Sequence, residues 1–541
     1  MAAAPTQLDP DPPRLAGTLL RWWAVAVAAF LLYALTAART IQWQDYGQFV
    51  LRIVTGELFN ELGLALAHPV HFWLGQAAAA VLPADPPYTV ALVSALAGAV
   101  TVANVFGVTR MVTGKTAPAL AAAGSLLVAN TFWRMSTMPE CYTVTTALLS
   151  AELWCMAAYF KRAATEPGED ASTPAGVFAV LAGMMFFNGF GLANHNMALL
   201  TLPVSGIVLI VSWKRGEIKL RGFALAMGAW FVGASPYLAL VVIEAVRGGD
   251  AGAAVISALF GSHYADDVLN ARPGVKQAGI SVAFTLLSFP GIALPLAAVG
   301  LFAGRAYLAK HMRSAGLWWA WCAALAIHLL FVLRYNVVDQ HTFLLPAYTL
   351  VALLVGVGFG GLALRLKSQG RGVLVVLVAL SVVAAPGVYV LTAKVTRDRN
   401  ALGSMARNKP YRDDYRYLFV PWGVGETSAD RMSREAAALA GGYGVVVVED
   451  RMAGFAVAYR LREDVKADVL MHDMGPDGEP DWSAWRGRSV VLVPASSGER
   501  RVDPPAGYTW RAAGELYVLV ADSGGGGDAD PPAQADNLAT P

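Results

Sequence analysis

Runs of roughly twenty apolar residues recur between residues 20 and 392, and each can cross a ~30 Å hydrocarbon layer. They cover 20–39, 88–109, 117–133, 143–160, 175–191, 197–213, 222–246, 279–302, 316–334, 343–364 and 373–392. Eleven such segments predict a mainly α, polytopic helical membrane protein, because in lipid the backbone must satisfy its hydrogen bonds internally. Composition agrees: 56% of the 541 residues are hydrophobic and only 15% are charged. The net charge of +2, without a basic stripe, excludes a nucleic-acid partner. Cys141, Cys155 and Cys322 lie in or beside apolar runs and read as small hydrophobes, with no metal-ligand spacing and no disulfide framework. The opening "MAAAPTQLDPDPPRLAGTLLRWW" lacks a signal-peptide pattern, so the first apolar segment is expected to be retained.

Charge fixes the orientation. With the N-terminus cytoplasmic and eleven spans, Arg110 and Lys115, Lys161 and Arg162, Lys214 to Arg221, Arg305 to Arg313, and Arg365 to Arg371 all fall inside. Counting the apolar stretch 62–82 as a further span would put them on the wrong face. That stretch is therefore read as an interfacial or re-entrant helix in a first outer loop, 40–87, with Pro69 at its start and Trp73 at the interface.

The composition changes after the last span. The transmembrane region is expected over 1–394. A small α/β domain on the outer side follows over 395–522, from apolar runs at 444–450, 467–473, 489–495 and 515–522 with helical patterns between the first of them. Residues 523–541 read as a disordered tail.

Under this topology the polar motifs share one side. "WQDYGQF" carries Asp45, which is either a solvated loop acid or a base held over the membrane surface. Glu57 and Glu61 read as a solvated helical face. His68 precedes Pro69, which biases it toward an extended backbone; it could bind a phosphate, shuttle a proton or simply sit at the interface. "MPECY" puts Glu140 at a span mouth. "GLANHNM" clusters Asn194, His195 and Asn196, which suit a hydroxyl-rich ligand or a capping turn. "RYNVVDQH" supplies Arg334, Asp339 and His341, with Arg334 able to clamp a phosphate oxygen or to snorkel. Polar groups converging at membrane depth usually line a cavity. The chain has no phosphate-cradling G-x-x-x-x-G-K-[ST] loop, H-E-x-x-H or G-x-S-x-G, so an ATP-driven or soluble-hydrolase chemistry is not expected.

Taken in order, these motifs resemble those of the GT-C superfamily of integral membrane glycosyltransferases, and within it the protein O-mannosyltransferase-like family. The likeness covers about residues 20–470 and rests on "WQDYGQF", "AHPVHFW", "ECY" at 140–142, "GLANHN", "DQHTFLLPAY" and "YRLREDV". Two positions depart from the family pattern: Gln48 stands where the family has an acid, and Val70 where it has a second proline. The resemblance implies transfer of a sugar from a polyprenyl-phosphate-linked donor to an acceptor hydroxyl on a protein, glycolipid or polysaccharide, with inversion. It implies Asp45 as general base and Arg334, His341 and His68 as groups holding the lipid phosphate. No metal cluster is evident, although outer-loop acids could hold a divalent ion beside the phosphate. The alanine- and glycine-rich composition points to a bacterial inner membrane. Two other classes remain in view: a lipid-sugar transporter or flippase, and a non-catalytic envelope assembly protein.

Overall fold

The structure is a computed structural model that describes residues 15–60, 62–163, 174–261, 274–335, 337, 339–463, 470–473 and 480–522. Glu61, most of the stretch 464–479 and the tail 523–541 lie outside the described residues. The chain packs as two compact units, residues 1–406 with 413–427, and residues 407–412 with 428–541. Residues 413–427, beyond the expected boundary at 394, thus pack with the helical unit.

The first unit holds α1 (Leu15–Thr36), α2 (Asp45–Thr55), α3 (Pro69–Val81), α4 (Pro86–Thr113), α5 (Thr116–Leu127), α6 (Asn130–Met135) and α7 (Tyr142–Ala163). It continues with α8 (Pro174–Leu192), α9 (Leu202–Lys214), α10 (Leu220–Gly248), α11 (Ala251–Phe260), α12 (Val275–Ser288) and α13 (Ala293–His311). It ends with α14 (Gly316–Arg334), α15 (Leu345–Arg365), α16 (Ser368–Asp398) and α17 (Asp414–Phe419). Short 3-10 turns occupy Leu64–Leu66, Asn196–Leu200 and Gln340–Leu344.

The protein is a multi-pass membrane protein. By length and apolarity, seven described helices can cross a bilayer, or eight if one bent pair counts as a span, rather than the eleven expected. The shortfall has local causes. The run at 117–133 breaks after Leu127 into α5 and the six-residue α6. The run at 197–213 spends its first residues on the 3-10 turn Asn196–Leu200, which leaves α9 with 13 residues. The 22-residue α7 carries Thr143, Thr145, Thr146, Ser150 and Glu152 among its buried residues. The run at 279–302 bends by 107° between α12 and α13. Pro290 and Gly291 sit at that break, and Gly291 takes φ 77°, a left-handed conformation suited to glycine. The stretch 62–82 folds as the short α3, opening at Pro69 as its sequence predicts, with Trp73 exposed.

The helical core is continuous from Ala29 and Tyr33 on α1 through α4, α5 and α7 to α15 and Tyr389 on α16. α13 and α15 cross at backbone distance. A Cβ on Gly300 would lie 2.0 Å from the Leu354 carbonyl oxygen, and one on Gly358 would lie 1.9 Å from that of Leu296. Such small-residue crossings let membrane helices gain dispersion contacts that lipid cannot displace.

The second unit contains α18 (Ser428–Ala440), α19 (Arg451–Glu463) and strands β1 (Gly444–Val448), β2 (Leu470–Asp473), β3 (Ser489–Val493), β4 (Tyr508–Ala513) and β5 (Leu516–Ala521). The sheet order is β2-β1-β3-β5-β4, with β1 parallel to β2 and β3, and β5 antiparallel to β3 and β4. All four expected strands are present. β4 is the addition: its "YTWRAA" buries only Trp510 and therefore lacks an apolar run.

Candidate functional site

α2 is a strongly amphipathic helix. Tyr46, Phe49, Val50 and Ile53 fall at i, i+3, i+4 and i+7 and are buried together. Asp45 is its first residue and is half-buried, where the positive end of the helix favours a carboxylate. Gln44, immediately before it, has φ 60°, a strained value for a non-glycine residue. At the other end of α2, buried Arg52 hydrogen-bonds the carbonyls of Glu57 (3.1 Å), Leu66 (2.9 Å) and Ala67 (3.2 Å), and also that of Leu58. This guanidinium fixes the loop that leads to His68. Glu57 is exposed but follows the end of α2, so it is a loop acid and not part of a helical face.

His68 caps α3 in the left-handed region, at φ 48° and ψ 56°, rather than in the extended conformation expected before proline. Its Nδ1 lies 2.7 Å from the Asn194 carbonyl oxygen, and its ring stacks on His195 with centroids 5.0 Å apart. These partners hold the backbone where Pro69 alone would not. Burial lowers the His68 pKa to about 4. The imidazole is therefore neutral near pH 7 and offers hydrogen bonds rather than positive charge.

Glu140 ends the turn before α7 and is only 3% exposed. Ser94 on α4 clamps its backbone, Oγ donating to the Glu140 carbonyl at 2.8 Å and accepting its N–H at 2.9 Å. Its Oε2 accepts the Cys141 N–H at 2.6 Å. Burial first, then the charges of Asp45 and Asp339, hold the Glu140 carboxyl well above the usual carboxylate range. Asp45, Glu140 and Asp339 thus share one electrostatic neighbourhood.

Asn194 is fully used as a brace. Its Nδ2 donates to the Cys141 carbonyl (3.0 Å) and to Thr145 Oγ1 (2.8 Å), and its Oδ1 accepts the His71 N–H (3.0 Å). Asn196 Nδ2 donates to the carbonyls of Ala258 and Leu259. Both asparagines tie distant segments together. His195 opens the turn Asn196–Leu200, its Nδ1 accepting the Met197 N–H at 3.1 Å. Tyr142 and Phe343 pack around it, with ring centroids 5.3 and 6.0 Å away. His341 stacks on Phe284 at 4.0 Å. Asp339 is half-buried at the start of the turn Gln340–Leu344. Arg334 is the exposed last residue of α14.

A second buried cation, after Arg52, is Arg134, which precedes the Glu140 motif in the chain. It is 4% exposed, lies 4.2 Å over the Tyr417 ring and donates to the carbonyls of Tyr417 and Val420. Its charge acts on Tyr46 and His341. Its Nη2 has no hydrogen-bond partner among the described residues. In the sequence it is visible only as one cation in an aromatic stretch, "TFWRM".

Among the described residues, a single group of three metal-ligating side chains has its ligand atoms within 4.8 Å of one another: His68, Cys141 and His195. The three carboxylates form no such group. Because the ligands come from three distant segments, no sequence spacing announces them, and the absence of metal-ligand spacing around the cysteines gave no sign of this group.

Residues 61–218 match the family model for the N-terminal domain of protein O-mannosyl-transferase TMEM260. That stretch includes His68, Arg134, Glu140 and the 194–196 cluster. No curated protein matches in sequence. Among solved structures, ArnT from Cupriavidus metallidurans bound to undecaprenyl phosphate superposes with a TM-score of 0.56 at 14% identity, covering 94% of this chain and 98% of that one. The apo form of the same protein gives 0.53 with equal coverage. The apo oligosaccharyltransferase of Archaeoglobus fulgidus gives 0.51 at 12% identity, covering 86% of this chain and 65% of that one.

The chain shares its fold with ArnT and with the archaeal oligosaccharyltransferase. The ArnT likeness takes in the mixed-sheet unit after the last helix as well as the helices, since it covers nearly the whole chain.

Proposed function

We propose that the protein is a glycosyltransferase that moves a sugar from a polyprenyl-phosphate-linked donor to an acceptor hydroxyl, with inversion at the anomeric carbon. The observation that carries this reading is a half-buried Asp45 at the head of α2 whose neighbour in sequence, Tyr46, feels the charge of the buried Arg134, a guanidinium with Nη2 unbonded among the described residues. Asp45 accepts the proton of the acceptor hydroxyl. The acceptor oxygen attacks the anomeric carbon as the bond to phosphate breaks, and the lipid phosphate leaves with the electron pair. Arg134, always charged, stabilises the departing phosphate in a water-poor setting. His68 and His195 orient groups rather than carry charge, and Arg334 serves the exposed rim. A fold shared with a protein crystallised with undecaprenyl phosphate supports a lipid phosphate as ligand. In this reading the acceptor belongs to a protein, a glycolipid or a polysaccharide. The protein sits in a bacterial inner membrane, with residues 395–522 extracytoplasmic.

One observation favours transport instead. Glu152 on α7 is buried, bonded by Ser205 (2.5 Å), Thr201 (3.0 Å) and Asn188 (3.2 Å), a polar node among apolar helices. The cavity beside it, lined also by His328, holds about 10 Å³, room for one water and not for a sugar. Transfer is therefore preferred.

Purified protein incubated with a panel of radiolabelled polyprenyl-phosphate sugars should release polyprenyl phosphate. Asp45→Asn should lower the rate by about 10²–10⁴-fold while leaving the melting temperature unchanged. Full activity in Asp45→Asn would remove the base, and liposome uptake without product would replace transfer by transport.

A further inference from the structure

The His68–Cys141–His195 cluster does something the transfer chemistry does not need. We propose that it binds one thiophilic divalent transition-metal ion, Zn²⁺ by its ligand set, which clasps the first interhelical loop, the entry to α7 and the α8 turn to one another.

Three features prepare it. His68 Nδ1 must donate to the Asn194 carbonyl oxygen, 2.7 Å away, because that oxygen only accepts. The proton on Nδ1 leaves the Nε2 lone pair for a metal, the carbonyl–imidazole arrangement that usually orients a metal-bound histidine. The ring is held there at the cost of a left-handed backbone at a residue that is not glycine. Cys141 is a buried thiol next to the Glu140 carboxyl group, and its Sγ lies within 4.8 Å of the ligand atoms of both histidines. A metal–sulfur bond forms as the S–H bond breaks, and the proton leaves to water; a divalent ion then balances the thiolate beside that carboxylate. His195, half-buried, completes the set with its ligand atom beside those of His68 and Cys141.

His195 needs one adjustment. Its Nδ1 now accepts the Met197 N–H at 3.1 Å, so a metal on either ring nitrogen releases that bond. One neutral hydrogen bond is small beside the stabilisation that structural zinc supplies. Next to the cluster, His71 is fully buried with neither ring nitrogen partnered among the described residues, a spare imidazole in a site rich in them. The buried cation that also acts on both histidines, Arg52, is engaged by four backbone carbonyls. Two imidazoles and a thiolate favour zinc over magnesium or calcium, and three protein ligands leave the fourth tetrahedral position to water.

The test is independent of sugar transfer. Full-length protein in detergent is stripped with a chelator, reloaded with Zn²⁺ or Co²⁺, desalted and assayed for metal. The expected result is one equivalent per chain and, with Co²⁺, a thiolate-to-metal charge-transfer band. Cys141→Ser should abolish the band, His195→Gln should lower retained metal at least about tenfold, and Cys155→Ser and Cys322→Ser should change neither. Zn²⁺ should raise the melting temperature of the stripped wild type but not of stripped Cys141→Ser, which must itself melt where the stripped wild type does. Stoichiometric metal that survives in Cys141→Ser, a Zn²⁺-induced rise equal in both proteins, or metal lost on a single desalting would each overturn the proposal.

Discussion

His68 Nδ1 and the Asn194 carbonyl oxygen, 126 residues apart, stand 2.7 Å from each other and lock the first interhelical loop to the α8 turn. The bond is made from a left-handed backbone, so the residue at position 68 must both tolerate positive φ and offer a donor. Asparagine meets both demands better than most residues. His68→Asn should keep the fold, lowering the melting temperature by a few degrees, whereas His68→Val should cost about 2–4 kcal/mol through strain and a lost buried bond. Thermal unfolding in detergent separates the two, and equal melting temperatures would refute the strain.

Acid should loosen the same region. Burial lowers His68 to about 4 and His71 to about 3, against an ordinary value of 6.5. The unfolded chain takes up these protons first, so stability is full above pH 6.5 and falls as pH drops toward 4. The loss attributable to His68 is about 3 kcal/mol at most. Melting temperature measured between pH 7 and 4 should fall, and more shallowly in His68→Asn; a flat profile would contradict burial of the neutral ring.

Arg134 and Arg334 should behave differently. Arg134→Lys keeps the charge but loses the planar fork, and should raise the donor KM about tenfold or more. Arg334→Ala, at an exposed helix end, should change it less than about threefold. Steady-state kinetics with a lipid-linked sugar decides between them, and the reverse ranking would return the phosphate to Arg334.

In the second unit Arg460, 4% exposed, bonds Asp430, 8% exposed, from α19 to α18. Arg460→Ala leaves the Asp430 carboxylate to Arg434 alone, 2.8 Å away, and should destabilise that unit by about 1–3 kcal/mol, while Arg460→Met with Asp430→Asn should recover part of the loss. Limited proteolysis of the full chain reads both; equal protection in Arg460→Ala and the wild type would show the pair to be dispensable.

Much of the helical fold was legible because apolar length is a one-dimensional signal. Pro69 announced α3, and the four short apolar runs announced four of the five strands. The breaks were harder. Ser, Thr and Glu on α7, and the Pro290–Gly291 bend, act through neighbours that a hydropathy profile does not see. The site divided in the same way. Asp45, Glu140 and Asp339 stood out as acids at span mouths, and the structure couples their charges. Asn194 and Asn196 stood out equally, yet their amides are used in bracing. Arg134 was passed over because its significance is three-dimensional: only the return of residues 417–420 over it makes it a buried cation. The cysteine at 141 looked inert for the same reason, since its companions lie on other segments.

The crossing of α13 and α15 is closed to drift. Two hydrogens, on Gly300 and Gly358, fill the space between opposing main chains, so mutation there can only push the helices apart, whereas Phe302, 84% exposed, can be exchanged freely among apolar residues. Variation in relatives should therefore pile up along the lipid-facing side of these helices and stop abruptly at two single-atom positions, a pattern that selection on chemistry alone would not produce.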